Sequence, residues 1–322
     1  MSSVSAAAAP KRGKREINAQ LRNEAIGGWL FVLPMLILTL TFSIYPIFRS
    51  VQITMYNWNG IGNPTQYVGL RHFQTVLSDP WFWNAFGHTL RYTVVLVPIQ
   101  LMLALMLALV LNNPKLRMSN FYRTIYFLPV VTSLAIVAIV VRLMLQQGGV
   151  NLSATFGIKP PINPVGNPQL SMLSVTAFGT WYSFGLNLIY FMAALQTVPE
   201  ELYDAAKVDG ANWFQRLFYV TLPSIRPIAT IILFFAVLGS MQVFEQSFVL
   251  TGGGPFFSSE VVTGYIYTYA FGGQGRASSP ANLGYASAAS FIMNVLILGV
   301  TMIQLYIVNR TNRERFTTER GT

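Results

Sequence analysis

Apolar residues run through this chain in six long blocks separated by shorter polar stretches. They cover about 28–48, 86–111, 122–145, 173–195, 225–250 and 283–308. Each supplies the roughly 20 residues that a helix needs to cross a hydrocarbon core of about 30 Å. The pattern predicts an all-α membrane protein with six transmembrane helices. Pro34, Pro98 and Pro129 fall inside or at the ends of blocks. Neighbouring helices in a membrane re-satisfy the backbone groups that a proline frees, so these positions read as kinks rather than breaks.

The longest informative polar stretch lies between the fourth and fifth blocks, over 197–227. Thr197-Val198-Pro199-Glu200 has the spacing of a capping box with proline in the first turn. Glu200, Glu201 and Asp204 then place negative charge at the positive end of a helix dipole. Ala205 and Ala206 are small enough for a partner to approach closely, and Gly210 suits a left-handed turn that ends the helix. A second amphipathic piece follows, with Trp213, Phe214, Leu217 and Phe218 apolar, before Leu222-Pro223 and Pro227 lead into the fifth block. A helix that only rests on lipid accounts for Trp213 and Phe214. Against an anionic inner leaflet such a helix should be basic, however, and this one opens acidic. A socket for another protein fits it better.

Composition agrees with burial in lipid. The chain has 322 residues, 53% hydrophobic and only 10% charged, where a soluble domain carries about a quarter charged residues. Its net charge of +10 is gathered in clusters beside the apolar blocks, which marks topology rather than nucleic-acid binding. All but six of the 21 lysines and arginines fall on one side: the exceptions are Arg49, Arg71, Arg91, Arg142, Lys159 and Arg276. The positive-inside rule puts both termini and the 197–227 loop in the cytoplasm. The expected organisation is a disordered basic tail over 1–25, a six-span domain over 26–309 and a basic tail over 310–322. The first block is too long for the apolar region of a cleavable signal peptide. With no cysteine, disulfide and thiolate chemistry are excluded.

Chemistry-bearing motifs are few. The glycine-rich stretches 251–255 and 272–275 lack the Lys-Ser/Thr of a phosphate-binding loop and fall outside. His72 and His88 are solitary, without metal-ligand spacing. Neither an enzyme nor a metal site is expected. Polar residues inside the blocks are costly in lipid and point to a protein interior or a water-filled path. They are Asn187 and Tyr190 in the fourth block, Gln242, Glu245 and Gln246 in the fifth, and the stripe Ser287, Ser290, Asn294 in the sixth. Gln242 and Gln246 are one helical turn apart. Amides, hydroxyls and rings suit a neutral sugar, and the same groups also glue helices together. Glu245 is expected to pair near the outer end rather than to carry a proton.

Asp204-Ala205-Ala206, Gly210-Ala211, Leu222-Pro223 and Pro227 closely resemble the EAA loop of permease subunits of binding-protein-dependent ABC importers, with Asp204 where that family has Glu. Further matching segments are Tyr45-Pro46-Ile47, Phe127-Leu128-Pro129, Asp209-Gly210-Ala211, Thr251–Pro255 and Gly284-Tyr285-Ala286. The resemblance runs from about Trp29 to Val308 and is nearest the carbohydrate branch, the maltose- and glycerol-3-phosphate-type permeases. It implies that Glu201, Asp204, Ala205, Ala206, Asp209, Gly210 and Ala211 form a coupling helix that docks on a cytoplasmic ATPase. It implies no cofactor on this chain, with ATP and Mg held by the ATPase. The implied partners are a second permease chain, two ATPase subunits, an extracytoplasmic solute-binding protein, membrane lipid and a carbohydrate; nucleic acid is not among them. The implied mechanism is alternating access in the cell membrane. Glycerol phosphate or an amino acid is the alternative cargo, and an ion-driven secondary transporter the alternative class. The first would want a basic cluster, for which the blocks offer only Arg91 and Arg142. The second would want buried carboxylates, for which they offer only Glu245.

Overall fold

The computed structural model describes the backbone of residues 14–112, 116–157, 159, 161, 163–272 and 281–319, and within these the side chains of 25–308 and Arg310. The expected tails fall partly outside them, at 1–13 and 320–322. Two units are distinguished, one up to Ile53 and one from Thr54.

The first unit is a helical run: α1 (Lys14–Thr39), a π-helical turn (Leu40–Ile44) and α2 (Tyr45–Ile53). Residues 14–25, expected to be disordered, are helical here; the stretch has no Gly or Pro and several strong helix formers. The π turn comes just before Pro46. A proline ring would otherwise meet the carbonyl four residues back, and the widened turn shifts that ladder.

The second unit is helical except for a two-residue antiparallel pairing of β1 (Tyr56–Asn57) with β2 (Gln66–Tyr67). Then come α3 (Arg71–Ser78) and α4 (Pro80–Leu111). Asp79 caps α4 by accepting from the Trp81 backbone N–H at 2.9 Å, and Pro80 takes the first helical position, where no N–H is missed. The helix continues through Pro98.

The third apolar block, expected as one helix, is two: α5 (Ser119–Val131) and α6 (Leu134–Phe156), parted at Thr132-Ser133. The break is satisfied from another element. The Tyr182 hydroxyl donates to the Thr132 carbonyl at 3.1 Å, so a backbone group freed by the break keeps a partner. α7 (Pro168–Gln196) packs along α4. Ala104 and Ala108, fully buried and one turn apart, belong to the same apolar cluster as Leu188, Phe191 and Leu195 of α7. Small residues at such a contact let helix backbones approach. Gly185 does the same against α5, where an added Cβ would run into the Tyr126 carbonyl.

The fifth block is displaced in both directions. α8 (Glu200–Val208) and α9 (Trp213–Arg216) precede a π turn (Leu217–Thr221) and α10 (Leu222–Met241). Trp213–Met241 is one helical run of 29 residues, and Gln242-Val243-Phe244 interrupts it before α11 (Glu245–Thr251). Phe244 sits at φ −138°, ψ −66°, and the Thr263 hydroxyl of α12 (Val262–Phe271) takes the Val243 carbonyl. α13 (Leu283–Glu319) closes the chain and is helical through the expected basic tail.

Five helical runs among the described residues are long and apolar enough to cross a membrane: Ala25–Ile53, Pro80–Leu111, Leu134–Phe156, Trp213–Met241 and Leu283–Val308. α7 equals them in length, but Ser171, Thr176, Thr180, Ser183 and Asn187 dilute its apolar character. Beyond one end of α4 the elements meet in a tyrosine cluster. The Asp79 carboxylate accepts from Tyr265 at 2.5 Å and Tyr285 at 3.3 Å, and the two hydroxyls lie 2.7 Å apart. Close by, His72 Nε2–H donates to the Tyr56 carbonyl at 3.2 Å. Burial, chiefly, holds the imidazole below its ordinary pKa of 6.5.

Candidate functional site

Two features stand out: a polar foot between α7 and α10, and a cavity among the helices.

The foot begins differently from the capping box that its sequence suggested. Thr197 ends α7 instead of starting α8; its hydroxyl donates to the Ala194 carbonyl at 2.8 Å. Pro199 occupies the N-cap of α8 and provides no side-chain cap. The capping box lies 15 residues later. Asn212 accepts from the Gln215 N–H at 2.9 Å while the Gln215 side chain accepts from the Asn212 N–H at 2.7 Å.

The end of α8 follows the glycine. Gly210 takes φ +76°. Its N–H donates to the Lys207 carbonyl at 3.1 Å, and the Ala211 N–H reaches back to Ala206 at 2.9 Å. These two bonds are a Schellman closure, in which the glycine accepts the left-handed conformation that costs other residues. Asp209 is the C-cap. Glu201, Asp204, Ala205 and Asp209 are exposed, Ala206 and Ala211 half-buried, and Val208 is 87% exposed. Asp204 pairs with Lys207 at 2.7 Å on the open face. The foot is tied to the following helix by the Tyr203 hydroxyl, 3.0 Å from Thr221 Oγ1.

The cavity, of about 360 Å³, lies among α4, α7, α10 and α11. It brings together three of the residues singled out in the sequence, Asn187, Tyr190 and Gln246. Asn187 spends one amide N–H on the Ser183 carbonyl at 3.4 Å, leaving its carbonyl oxygen and a second N–H. The wall also contains Gln100, Tyr182, Ser183 and Ser240, which the sequence reading passed over. Gln100 had a legible signal, an amide inside an apolar block. None of the described lining residues is charged.

The other sequence candidates lie elsewhere. Gln242 is exposed in the interruption after α10, so it and Gln246 do not share one helical face as expected. Glu245 is exposed in the first turn of α11, where the helix dipole favours a carboxylate, and is in no ion pair among the described residues. This replaces the expected pairing. Ser287, Ser290 and Asn294 are on α13, outside the cavity wall; Asn294 donates to the Ser290 carbonyl at 3.0 Å.

Residues 100–313 match the family described as binding-protein-dependent transport system inner membrane component. The lactose transport system permease protein of Rhizobium radiobacter is 33% identical, across 87% of this chain and 93% of its own. The arabinooligosaccharides transport system permease protein of Bacillus subtilis (strain 168) is 32% identical, across 86% of this chain and 87% of its own. Among solved structures, a chain of a bacterial alginate ABC transporter, in complex with alginate pentasaccharide-bound periplasmic protein, shares the fold. Its TM-score is 0.74 at 22% identity, with 91% of this chain and 97% of that one covered.

Proposed function

The chain belongs to the binding-protein-dependent transport system inner membrane components, and from that premise we propose that it is a permease subunit of an ATP-driven importer for a neutral carbohydrate. The observation that carries the cargo is the uncharged cavity faced by Gln100, Asn187, Tyr190 and Gln246. Amides both donate to and accept from hydroxyls, and tyrosine rings offer flat apolar contact. Glycerol phosphate or an amino acid would leave a charge in this cavity without a partner, at high cost. The sugar-transport names of the two relatives point the same way.

Six spans carry the path. α7 is the sixth, its 29 residues spanning about 43 Å at about 1.5 Å per residue. Both termini and the foot lie in the cytoplasm, following the basic residues. There α8 docks on an ATPase through Glu201, Asp204, Ala205, Ala206, Asp209, Gly210 and Ala211. ATP and Mg reside on that partner. A second permease chain completes the pore, two ATPases drive it, and a solute-binding protein delivers the sugar from outside. The drive is a differential contact: the ATP-bound and ATP-free ATPases hold the foot with different free energies, which shifts the helices between outward- and inward-open states.

Reconstitution tests this directly. The complete complex in proteoliposomes, supplied with labelled lactose, arabino-oligosaccharides and maltodextrins, is expected to accumulate at least one of them only when ATP and the ATPases are present. Uptake by this chain alone on an ion gradient would overturn the reading, as would uptake of labelled glycerol phosphate in place of every sugar.

A further inference from the structure

Two polar side chains on α4 are buried with an unsatisfied atom. Gln100 is 2% exposed and its Oε1 has no hydrogen-bond partner among the described residues; Thr93 is 5% exposed and its Oγ1 has none either. They lie seven residues apart, on nearly the same face of the helix. Their surroundings differ: Gln100 lines the cavity and Thr93 does not.

A buried amide oxygen without a partner destabilises a fold, and leucine at that position would remove the penalty. Its cost is relieved when a donor enters the space that it faces. The cavity is that space, and its opposite wall presents Asn187 and Tyr190 from α7. An amide oxygen accepts and never donates, so the matching ligand atom is an O–H or N–H. The geometry points to Gln100 as a substrate-contacting residue whose Oε1 accepts a hydrogen bond from a sugar hydroxyl while the carbohydrate passes between α4 and α7. This deepens the neutral-carbohydrate reading and rests on it. It places the second apolar block, otherwise a packing helix, in the binding wall.

The role has a signature that packing lacks. Gln100→Leu keeps roughly the shape of the side chain and deletes the acceptor. In the complete transporter, with the sugar that the wild type accumulates, uptake at subsaturating concentration is expected to fall about five- to tenfold, the worth of one buried hydrogen bond. The thermal midpoint of the purified complex should stay unchanged or rise, because an unsatisfied group has left the interior. Thr93→Val removes the other unsatisfied atom of α4 and should leave uptake unchanged. Unaltered uptake in Gln100→Leu overturns the assignment. So does a lowered midpoint, or an equal loss of uptake in Thr93→Val, since either assigns the effect to the packing of α4. A wild-type complex that accumulates no sugar would instead reject the carbohydrate reading itself.

Discussion

Asp204 and Lys207 form an ion pair on the open face of α8. Exposed pairs of this kind contribute about 0–1 kcal/mol, so this one leaves the acidic face free to exchange partners. The residue that shapes the foot is Gly210, whose positive φ sustains the closing bonds of α8. Gly210→Val forces a branched side chain into the left-handed region, at about 1–2 kcal/mol. Since an added Cβ meets no other atom within 4 Å, the expected result is normal membrane insertion with loss of substrate-stimulated ATP hydrolysis. Wild-type stimulation in that variant would count against docking through α8. His72 has a different signature. Its folded pKa is lowered, so the unfolded chain binds the extra proton first. The stability it helps to hold is complete above about pH 6.5 and declines as pH falls through the folded value. Hydrogen exchange at the Tyr56–Tyr67 pairing should therefore speed up below about pH 6.5, and His72→Gln should flatten that dependence. Gly210 was legible in the sequence because only backbone freedom is at issue there. Thr197 was misread because a Thr-x-x-Glu spacing cannot tell the end of one helix from the start of the next.

At the scale of elements, local sequence located the helices and missed the interruptions. Thr132-Ser133 and Gln242-Val243-Phe244 contain neither glycine nor proline. What holds them open arrives from far along the chain, the Tyr182 hydroxyl in one case and that of Thr263 in the other. Such breaks are tertiary, and hydropathy averages over them. The Asp79–Tyr265–Tyr285 cluster likewise joins residues 186 and 206 positions apart. Tyr265→Phe keeps the ring and removes the closer of the two tyrosine hydroxyls that the carboxylate accepts from. A destabilisation of about 1–3 kcal/mol is expected from thermal unfolding in detergent. An unchanged midpoint would mean that Tyr285 alone satisfies Asp79. Gly185→Val should cost about 1–3 kcal/mol by the same measurement, through overpacking against the Tyr126 carbonyl.

For the whole molecule, an apolar chain with basic inner segments was enough to read a multi-pass membrane protein. The cavity was legible in part: Asn187, Tyr190 and Gln246 converge on it, while the α13 stripe lies outside its wall. Period alone says which residues share a face, not which face meets which. The absence of cysteine makes the docking prediction simple to check. Single Ala205→Cys or Ala206→Cys variants carry one thiol each, and a bifunctional reagent in the assembled complex should join it to the nucleotide-hydrolysing subunit. Capture from the outer face of sealed vesicles would reverse the orientation.

One feature links the two sites mechanically. The helical run from Trp213 to Met241 starts in the foot and stops at the interruption beside the cavity. Helix resists bending along its length, while a three-residue gap does not. It is a lever about 43 Å long with its fulcrum at Gln242–Phe244, so a tilt applied at the foot is delivered, undiminished by flexing, to the wall next to the cargo.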